Sequence, residues 1–272
     1  MTIDTVEGLG VVYERLILND LLERIDSRYP YESVLEAPVY GMAGVDGINS
    51  ISLAQKGKQV TLLDVDRGRL AGIGTLWDQL GLPVQLVFTP DPRSLPFSSR
   101  SVDLVWNFAA LWHVLGGAGE LVREMVRVSR DLVFIAMPNR AQLGYLLRKY
   151  AIDKEFFDKV DERWVSIARI KRTLREAGCR IVEEGVLDVP PWPDTCMPAS
   201  EFLRRLGLGA LPVRSKFEGE GWKWSTMDYY AGEAPGVRAT VDKLAVLDRA
   251  PLPWQIKTVW AHHHYVLARR ER

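Results

Sequence analysis

A short segment between the first predicted strand and the next predicted helix combines one acid with three spaced glycines. The acid is Glu36, and the glycines are Gly41, Gly44 and Gly47. Glycine allows a sharp turn and a close approach to a ligand, and the free N–H groups at the start of a helix can hold a pyrophosphate. A carboxylate beside this loop favours a cationic or amine-bearing ligand instead. The pattern predicts a ligand-binding turn, although a plain tight turn uses the same glycines.

Acids also follow the next two predicted strands. Asp64 and Asp66 end the second strand, where a carboxylate can accept hydrogen bonds from both hydroxyls of a ribose. A carboxylate in this position can also cap the next helix, and of the two we favour Asp64 for the ribose. Asp91 follows the third strand and could accept a hydrogen bond from an exocyclic adenine amine. These acids indicate a nucleoside-binding crevice.

The elements that must position these residues alternate along the chain. Hydrophobic periodicity predicts helices over 11–29, 48–56, 67–80, 118–129 and Trp164–Ala177. The predicted strands are Ser33–Glu36, Gln59–Val65, Val84–Phe88, Asp103–Phe108, Leu132–Met137, Arg180–Val189 and Thr258–Ala268. Such alternation predicts an α/β fold with a mostly parallel sheet that helices cover on both faces.

The segment from 190 to 256 interrupts this alternation. It is rich in proline, glycine and tryptophan and lies between the last two predicted strands. Long connections in compact domains are usually functional, so we interpret 190–256 as a cap over one domain made of 1–189 and 257–272. Five tryptophans follow residue 190, and they suit an apolar pocket, a subunit interface or plain core packing: Trp192, Trp222, Trp224, Trp254 and Trp260.

Composition limits the partners. The 35 basic and 35 acidic residues cancel, whereas a nucleic-acid-binding protein is expected to carry a basic face. No apolar run reaches the roughly 20 residues of a membrane span, and the first 30 residues do not have the pattern of a signal peptide. Cys179 and Cys196 alone cannot form a disulfide framework or a cysteine-based zinc site. We expect a cytoplasmic protein with a small-molecule acceptor, no nucleic acid and no membrane, and we leave a homodimer open.

Taken in order, these motifs resemble the class I S-adenosylmethionine-dependent methyltransferases. The resemblance covers roughly residues 30 to 188 and the last strand. Its motifs are Val34-Leu35-Glu36, the glycine-rich loop, Val60-Thr61-Leu62-Leu63-Asp64, Asp91 before Leu95-Pro96-Phe97, Val102-Asp103-Leu104-Val105, Leu111-Trp112-His113-Val114, Glu124-Met125-Val126-Arg127-Val128 and Met137-Pro138-Asn139-Arg140. It implies a Rossmann-like, doubly wound sheet of seven strands, with an antiparallel last strand and an inserted cap before it.

The resemblance also implies S-adenosylmethionine as cofactor and a role for each motif. Glu36 and the loop with Gly41, Gly44 and Gly47 would hold the methionine portion. Asp64 would bind the ribose, with Val65 against the adenine, and Asp91 with the backbone of Pro92 would bind the adenine edge. Asn107 would lie near the transferred methyl group. The family's usual loop has glycines two, four and six residues after the acid, where this chain has Pro38, Tyr40 and Met42, and the loop here is about five residues longer.

Candidate catalytic groups are few. His113 follows the fourth strand and could act as a base for a hydroxyl or amine acceptor, or it could simply pack against a helix. In the run His262-His263-His264, strand alternation would place His262 and His264 on one face with Trp260, and His263 on the other. Two histidines need a third ligand to bind a metal, so we expect no metal site. Cys196 as a nucleophile has no further support.

Two functions remain open from the sequence. The first is methyl transfer from S-adenosylmethionine to a small, apolar or aromatic acceptor. The alternative is a non-catalytic methyltransferase-like protein that binds S-adenosylmethionine or another nucleoside and acts in assembly or regulation, which the unusual loop favours. A nucleotide-dependent dehydrogenase is disfavoured because the tight G-x-G-x-x-G pattern is missing and an acid ends the first strand.

Overall fold

The computed structural model describes residues 4–190 and 224–271. Its strands are β1 Ser33–Glu36, β2 Gln59–Asp64, β3 Gln85–Phe88, β4 Val102–Phe108, β5 Ser129–Pro138, β6 Cys179–Leu187 and β7 His263–Arg270. Its α-helices are α1 Leu9–Arg28, α2 Ile51–Gln55, α3 Arg67–Gln79, α4 Ala118–Val128, α5 Leu143–Leu147, α6 Lys154–Phe157, α7 Ile167–Glu176, α8 Thr226–Tyr230, α9 Gly236–Leu244, α10 Val246–Arg249 and α11 Trp254–Lys257. Short 3-10 helices cover Leu111–His113 and Glu162–Val165, and a π-helical turn covers Arg148–Ile152.

The seven strands form one sheet in the order β3-β2-β1-β4-β5-β7-β6. Strands β1 to β5 run parallel, and β7 is antiparallel to both of its neighbours, β5 and β6. The predicted Rossmann-like sheet with an antiparallel last strand is therefore confirmed. The strand order reverses at β1, which pairs with β2 on one side and β4 on the other. Ligands of such sheets bind beyond the carboxyl ends of the strands at this reversal.

Helices cover both faces of the sheet, as the alternation predicts. Successive strand residues point to opposite faces, so Val34 joins the core on the α1 side while its neighbour Leu35 joins the core under α4 and α7. In β4, Trp106 and Val105 divide in the same way. The sheet is thus buried on both faces, which fixes the position of every strand end.

Helix α1 is the longest of the described helices, at 20 residues. Its residues from Val12 to Leu18 are all buried, including Glu14 and Arg15, so it is enclosed on all sides in that stretch. Within residues 4–190 and 224–271, no helix is both long and apolar enough to cross a membrane.

Four predicted boundaries were wrong by three or more residues, and one of them is the start of β5, which lies at Ser129 and not at Leu132. The helix predicted over 48–56 is shortened to Ile51–Gln55, because the loop before it extends to Ser50. The helix predicted from Trp164 begins at Ile167, after a separate 3-10 turn. The last strand begins at His263 and not at Thr258, because Thr258 closes α11 by donating its N–H to the Trp254 carbonyl.

The predicted cap is described only in part, because residues 191–223 lie outside the described ranges. This gap contains Trp192, Trp222 and Cys196. The remainder packs against the main core: Met227 and Tyr230 of α8 and Val241 of α9 are buried in the cluster that contains α1. The division into a main domain and a 190–256 cap stays a prediction.

Candidate functional site

Three side chains that the sequence singles out lie at the carboxyl edge of the sheet, around the strand reversal. Glu36 ends β1 and pairs with Leu62 of β2 and Trp106 of β4. Asp64 ends β2, and Asn107 is the penultimate residue of β4. All three residues are at most 1% exposed. The structure therefore brings Glu36, Asp64 and Asn107 to one buried edge.

Glu36 is held by two side chains at the end of the glycine-rich loop. Ser50 Oγ and Asn49 Nδ2 donate hydrogen bonds to its two carboxylate oxygens, at 2.6 and 3.0 Å. Burial nevertheless raises the pKa of Glu36 to about 7, because the desolvation of the charge outweighs these hydrogen bonds. Near neutral pH, this carboxyl is poised between its two protonation states.

A buried residue of α1 supports this arrangement. The guanidinium of Arg15 is fully buried and donates to Asn49 Oδ1 at 2.5 Å and to Glu7 Oε1 at 2.7 Å. Asn49 in turn donates to Glu36. Arg15 belongs to the helical pattern of 11–29, and its sequence neighbourhood contains no signal for a partner 34 residues away.

The structure separates the two acids at the end of β2. Asp66 caps α3, because its Oδ1 accepts the N–H groups of Gly68 and Arg69 at 2.7 and 3.1 Å. Asp64 is fully buried, its Oδ1 accepts the Asp66 N–H at 2.8 Å, and burial raises its pKa. Its Oδ2 is also buried and has no hydrogen bond from any described residue, although Arg69 Nε stands 3.4 Å away. Asp64 thus retains a free acceptor atom, whereas the side chain of Asp66 serves the helix.

The glycines of the loop approach protein atoms closely. Gly41 has φ +123°, and a Cβ there would lie 2.6 Å from the carbonyl carbon and oxygen of Ala109, just beyond β4. Gly47 has φ +71°, and its Cβ would lie 2.4 Å from the side chain of Ile73 in α3. A Cβ on Gly44, at φ +84°, would meet the carboxylate of Glu7. The spacing of these glycines therefore serves the packing of the loop, and their contact with a cofactor stays a prediction.

Tyr40 of the same loop lies close to Asp64. Burial together with the Asp64 charge raises the pKa of the Tyr40 hydroxyl to about 12. The guanidinium of Arg69 lies 5.2 Å from the centre of the Tyr40 ring. At a position where the family usually has a glycine, this chain therefore has the aromatic side chain of Tyr40, next to Asp64, the candidate ribose-binding residue.

The candidate adenine-binding residues lie three residues beyond β3 and are more open. Asp91 is partly exposed and forms an ion pair with Arg93, whose Nε stands 2.8 Å from Asp91 Oδ1. The hydrogen bonds from Arg93 lower the pKa of Asp91, so this carboxylate is charged at neutral pH. Pro92 and Val65 are partly exposed. Their roles toward an adenine stay predictions.

Asn107 has a structural task in the folded chain. Its Nδ2 donates to the carbonyl of Ala37 at 3.0 Å, and its Oδ1 accepts the Ala110 N–H at 3.2 Å. The residue thereby links the start of the glycine-rich loop to the turn after β4. A contact with the methyl end of a cofactor remains a prediction.

His113 ends the 3-10 helix that follows β4, and it lies among aromatic rings. The ring centres of Trp112, Tyr40 and Phe156 lie 5.4, 6.2 and 6.2 Å from that of His113. The imidazole is about half buried, and burial lowers its pKa. At pH 7, therefore, His113 is mainly neutral and able to accept a proton.

The histidine run does not follow simple strand alternation, because β7 begins only at His263. His262 Nδ1 and Asp188 Oδ2 lie 2.7 Å apart, and His264 Nε2 and Glu184 Oε1 lie 3.1 Å apart. His263 faces Glu14 of α1, with 2.9 Å between Nδ1 and Oε1. Within β7 the predicted alternation holds, because His263 faces Glu14 of α1 whereas His264 faces Glu184. His262 precedes the strand, and its ring centre lies 6.4 Å from that of His263.

Three of the five tryptophans lie within the described ranges. Trp254 packs on His264, with 4.9 Å between ring centres, and Trp260 Nε1 donates to the carbonyl of Pro190 at 2.6 Å. Trp224 forms a backbone bridge with Glu7. These contacts are with the protein itself, so an acceptor pocket lined by tryptophans stays a prediction.

Comparison with known proteins connects this edge of the sheet to a family. Residues 42–136, from the glycine-rich loop to β5, match the sequence profile of a methyltransferase domain. The search of curated proteins found no match.

Several solved structures share the fold. The magnesium protoporphyrin IX methyltransferase ChlM from Synechocystis PCC 6803 with bound SAH is 13% identical, with a TM-score of 0.55 over 96% of this chain and 84% of that chain. A putative sarcosine dimethylglycine methyltransferase from Galdieria sulphuraria is 14% identical, with a TM-score of 0.52 over 94% and 84%. The [4+2]-cyclase SpnF is 16% identical, with a TM-score of 0.50 over 93% and 80%. Identities this low establish a common fold only.

Proposed function

We propose that the chain, whose residues 42–136 match a methyltransferase domain, is a class I S-adenosylmethionine-dependent methyltransferase and that it methylates a small acceptor with an apolar or aromatic surface. One observation, more than any other, supports a cofactor at the carboxyl edge of the sheet. Two buried carboxylates, Glu36 and Asp64, end neighbouring parallel strands beside the strand reversal, and Asp64 Oδ2 has no hydrogen bond from any described residue.

The residues at this edge fit the cofactor. A ribose hydroxyl would satisfy Asp64 Oδ2, since a buried acceptor without a donor is costly. Glu36 would pair with the cationic amino group of the methionine portion, and Asp91 and Pro92 would lie toward the adenine. When bound, S-adenosylmethionine would supply a methyl group activated by a positively charged sulfur, for transfer to a nucleophilic atom of the acceptor with S-adenosylhomocysteine as the leaving group.

The chain's own residues have two tasks in this proposal. The first is alignment of acceptor and methyl group, an effect worth up to roughly 7–11 kcal/mol in favourable cases. The second is removal of a proton from a hydroxyl or amine acceptor, and we assign this to His113. Its lowered pKa keeps the imidazole neutral at pH 7, and its aromatic neighbours Trp112, Tyr40 and Phe156 would suit a flat acceptor.

The first test measures cofactor binding by calorimetry. Asp64→Asn replaces the free acceptor oxygen and removes the charge, so we expect S-adenosylmethionine to bind about tenfold or more weakly, from a loss of roughly 1.5–3 kcal/mol. Asp66→Asn is the matched control, because asparagine also caps helices, and its affinity should stay within about twofold, or about 0.4 kcal/mol. Equal affinities of the two variants would refute the ribose assignment, and no binding by the wild type would refute the function.

The second test measures turnover as S-adenosylhomocysteine released with a panel of aromatic hydroxyl and amine acceptors. His113→Asn should lower the rate about a hundredfold while leaving cofactor affinity unchanged, because a positioned base contributes roughly this much. The wild-type rate should rise with pH through a pKa below the usual value for histidine. An unchanged rate and pH profile in the variant would exclude His113 as the base.

A second candidate function is nucleoside binding without methyl transfer. It is favoured by the loop, in which Gly41 and Gly47 pack against the protein and Tyr40 replaces a usual glycine. Tight binding of S-adenosylhomocysteine, together with no turnover of any acceptor in the panel, would favour this alternative. Turnover of one acceptor would exclude it.

A further inference from the structure

A second group of chemically active side chains lies at the same edge of the sheet, on the side of β7. Glu14 comes from α1, Asp188 follows β6 directly, and His263 is the first residue of β7. One potential ligand atom of each residue lies within 4.8 Å of those of the other two. None of these three residues belongs to the proposed cofactor set.

The burial of this group is hard to explain by the protein alone. Glu14 and Asp188 are only 8% and 2% exposed, and a buried carboxylate is costly unless it is paired. The nearest arginine on the same helix, Arg15, donates instead to Glu7 and Asn49. Glu14 and Asp188 face the imidazoles of His263 and His262 instead.

Two facing atoms in this group are close enough to form an ion pair but do not have the geometry of a hydrogen bond. Glu14 Oε1 and His263 Nδ1 lie 2.9 Å apart, yet neither has a hydrogen bond from the residues that the structure describes. Buried polar atoms without partners call for a water or an ion. Glu14 Oε1 and His263 Nδ1 are therefore both placed to contact one further atom.

We propose that Glu14, Asp188 and His263 bind one divalent transition-metal ion. An imidazole nitrogen with two carboxylate oxygens suits Zn²⁺, Co²⁺ or Mn²⁺, whereas Mg²⁺ and Ca²⁺ prefer oxygen ligands only. Three protein ligands leave a coordination position for water or for a ligand oxygen, as in catalytic zinc sites. From the sequence alone, we expect no metal site at the histidine run. The two carboxylate ligands proposed here, Glu14 and Asp188, lie far from that run along the chain.

Neighbouring side chains would orient these ligands. His262 Nδ1 lies 2.7 Å from Asp188 Oδ2 and fixes that carboxylate, a contact that commonly tunes metal sites. The ring of Phe108 packs on His263, with 4.5 Å between their centres. Because Phe108 ends β4 directly after Asn107, the site lies next to the crevice in which we place the cofactor. The proposal does not depend on methyl transfer.

The test uses the full-length protein, stripped with a chelator and free of S-adenosylmethionine. We expect one Zn²⁺ or Co²⁺ per chain, a visible absorption band from bound Co²⁺, a raised Tm, and no comparable binding of Mg²⁺. Glu14→Gln and Asp188→Asn should each weaken Zn²⁺ binding at least 50-fold. His264→Gln is the matched control, because His264 belongs to the same run but faces Glu184, and it should bind as the wild type does.

A direct measurement keeps the proposal testable if a variant fails to fold. Anomalous scattering from crystals of the wild type grown with Zn²⁺ should place the ion between Glu14, Asp188 and His263. Absence of stoichiometric binding, unchanged affinity in a folded Glu14→Gln variant, loss of binding in His264→Gln, or an ion found elsewhere would each overturn the proposal. Failure of cofactor binding would leave these readouts unaffected.

Discussion

Substitution of Glu36 by glutamine should remove a pH dependence from cofactor binding. Glu36 is buried, and its pKa is raised to about 7. In the proposed site, this carboxyl pairs with a cationic amino group, and only its ionised form can do so. Binding should therefore become stronger as the pH rises through 7, and the variant should lack this rise.

The size of the effect follows from the pKa. With a pKa of about 7, the ionised fraction of Glu36 is about one tenth at pH 6, one half at pH 7 and nine tenths at pH 8. If the bound form is fully ionised, the affinity falls about tenfold from pH 8 to pH 6, equivalent to about 1.3 kcal/mol. At pH 7, about half a proton should leave the protein for each cofactor bound.

Calorimetry at pH 6, 7 and 8, in buffers of different ionisation enthalpy, gives both the affinity and the number of protons released. Glu36→Gln should bind about tenfold more weakly than the wild type at pH 8 and should lack the part of the pH dependence that the wild type owes to Glu36. Titration of the cofactor itself is common to both proteins and cancels in the comparison. Glu32→Gln is the control, because Glu32 precedes the opposite end of β1 and its side chain is 79% exposed. A variant that keeps the wild-type slope would refute the pairing with Glu36.

Three further predictions concern the framework of the site. Gly41→Ala should lower the free energy of unfolding by more than about 2 kcal/mol, because the new Cβ would lie 2.6 Å from Ala109. Gly81 also has a positive φ but lies in open space, so Gly81→Ala should lower it by only about 1 kcal/mol. Equal losses in denaturant titrations would contradict this prediction. Arg15→Met should lower the free energy of unfolding by about 3–5 kcal/mol, because it leaves the buried carboxylate of Glu7 without its cation. Adding Glu7→Gln to the same chain should restore part of that stability. Losses that simply add in the double-mutant cycle would disprove the coupling. Asp66→Ala should lower the stability by about 0.5–2 kcal/mol through loss of the α3 cap, and an unchanged Tm would show that the cap is unimportant.

The parts of the site that depend on local patterns were predictable. Glu36 and Asp64 each end an apolar run, and the carboxyl ends of parallel strands share one edge, so the sequence alone brings the two acids together. The choice of Asp64 over Asp66 for the ribose stays a prediction. Asp66 directly precedes a helical pattern, which is the position of an N-cap, and the structure confirms that role.

The remaining parts depend on contacts that the sequence pattern does not encode. Glu14 and His263 are separated by almost the full length of the chain. The pattern around Glu14 indicates only a buried helix, and the pattern around His263 indicates only a strand with alternating faces. Strand alternation does not extend to His262, because α11 and its closing residue Thr258 displace the start of β7 to His263. Similarly, nothing local to Gly41 reveals that its close approach is to Ala109.

Helix α1 connects the two halves of this edge. Arg15 extends from it to Asn49, which in turn holds Glu36, whereas the preceding residue, Glu14, faces His263. Adjacent residues on a helix point about 100° apart, so one buried turn can serve both groups. Arg15 is tolerated in this enclosed stretch because it is paired with Glu7, whereas Glu14 faces His263 across 2.9 Å and would be compensated further by the proposed ion. An amphipathic helix lying on the surface of the sheet would need neither residue, whereas α1 contacts both groups through them as well as covering the core.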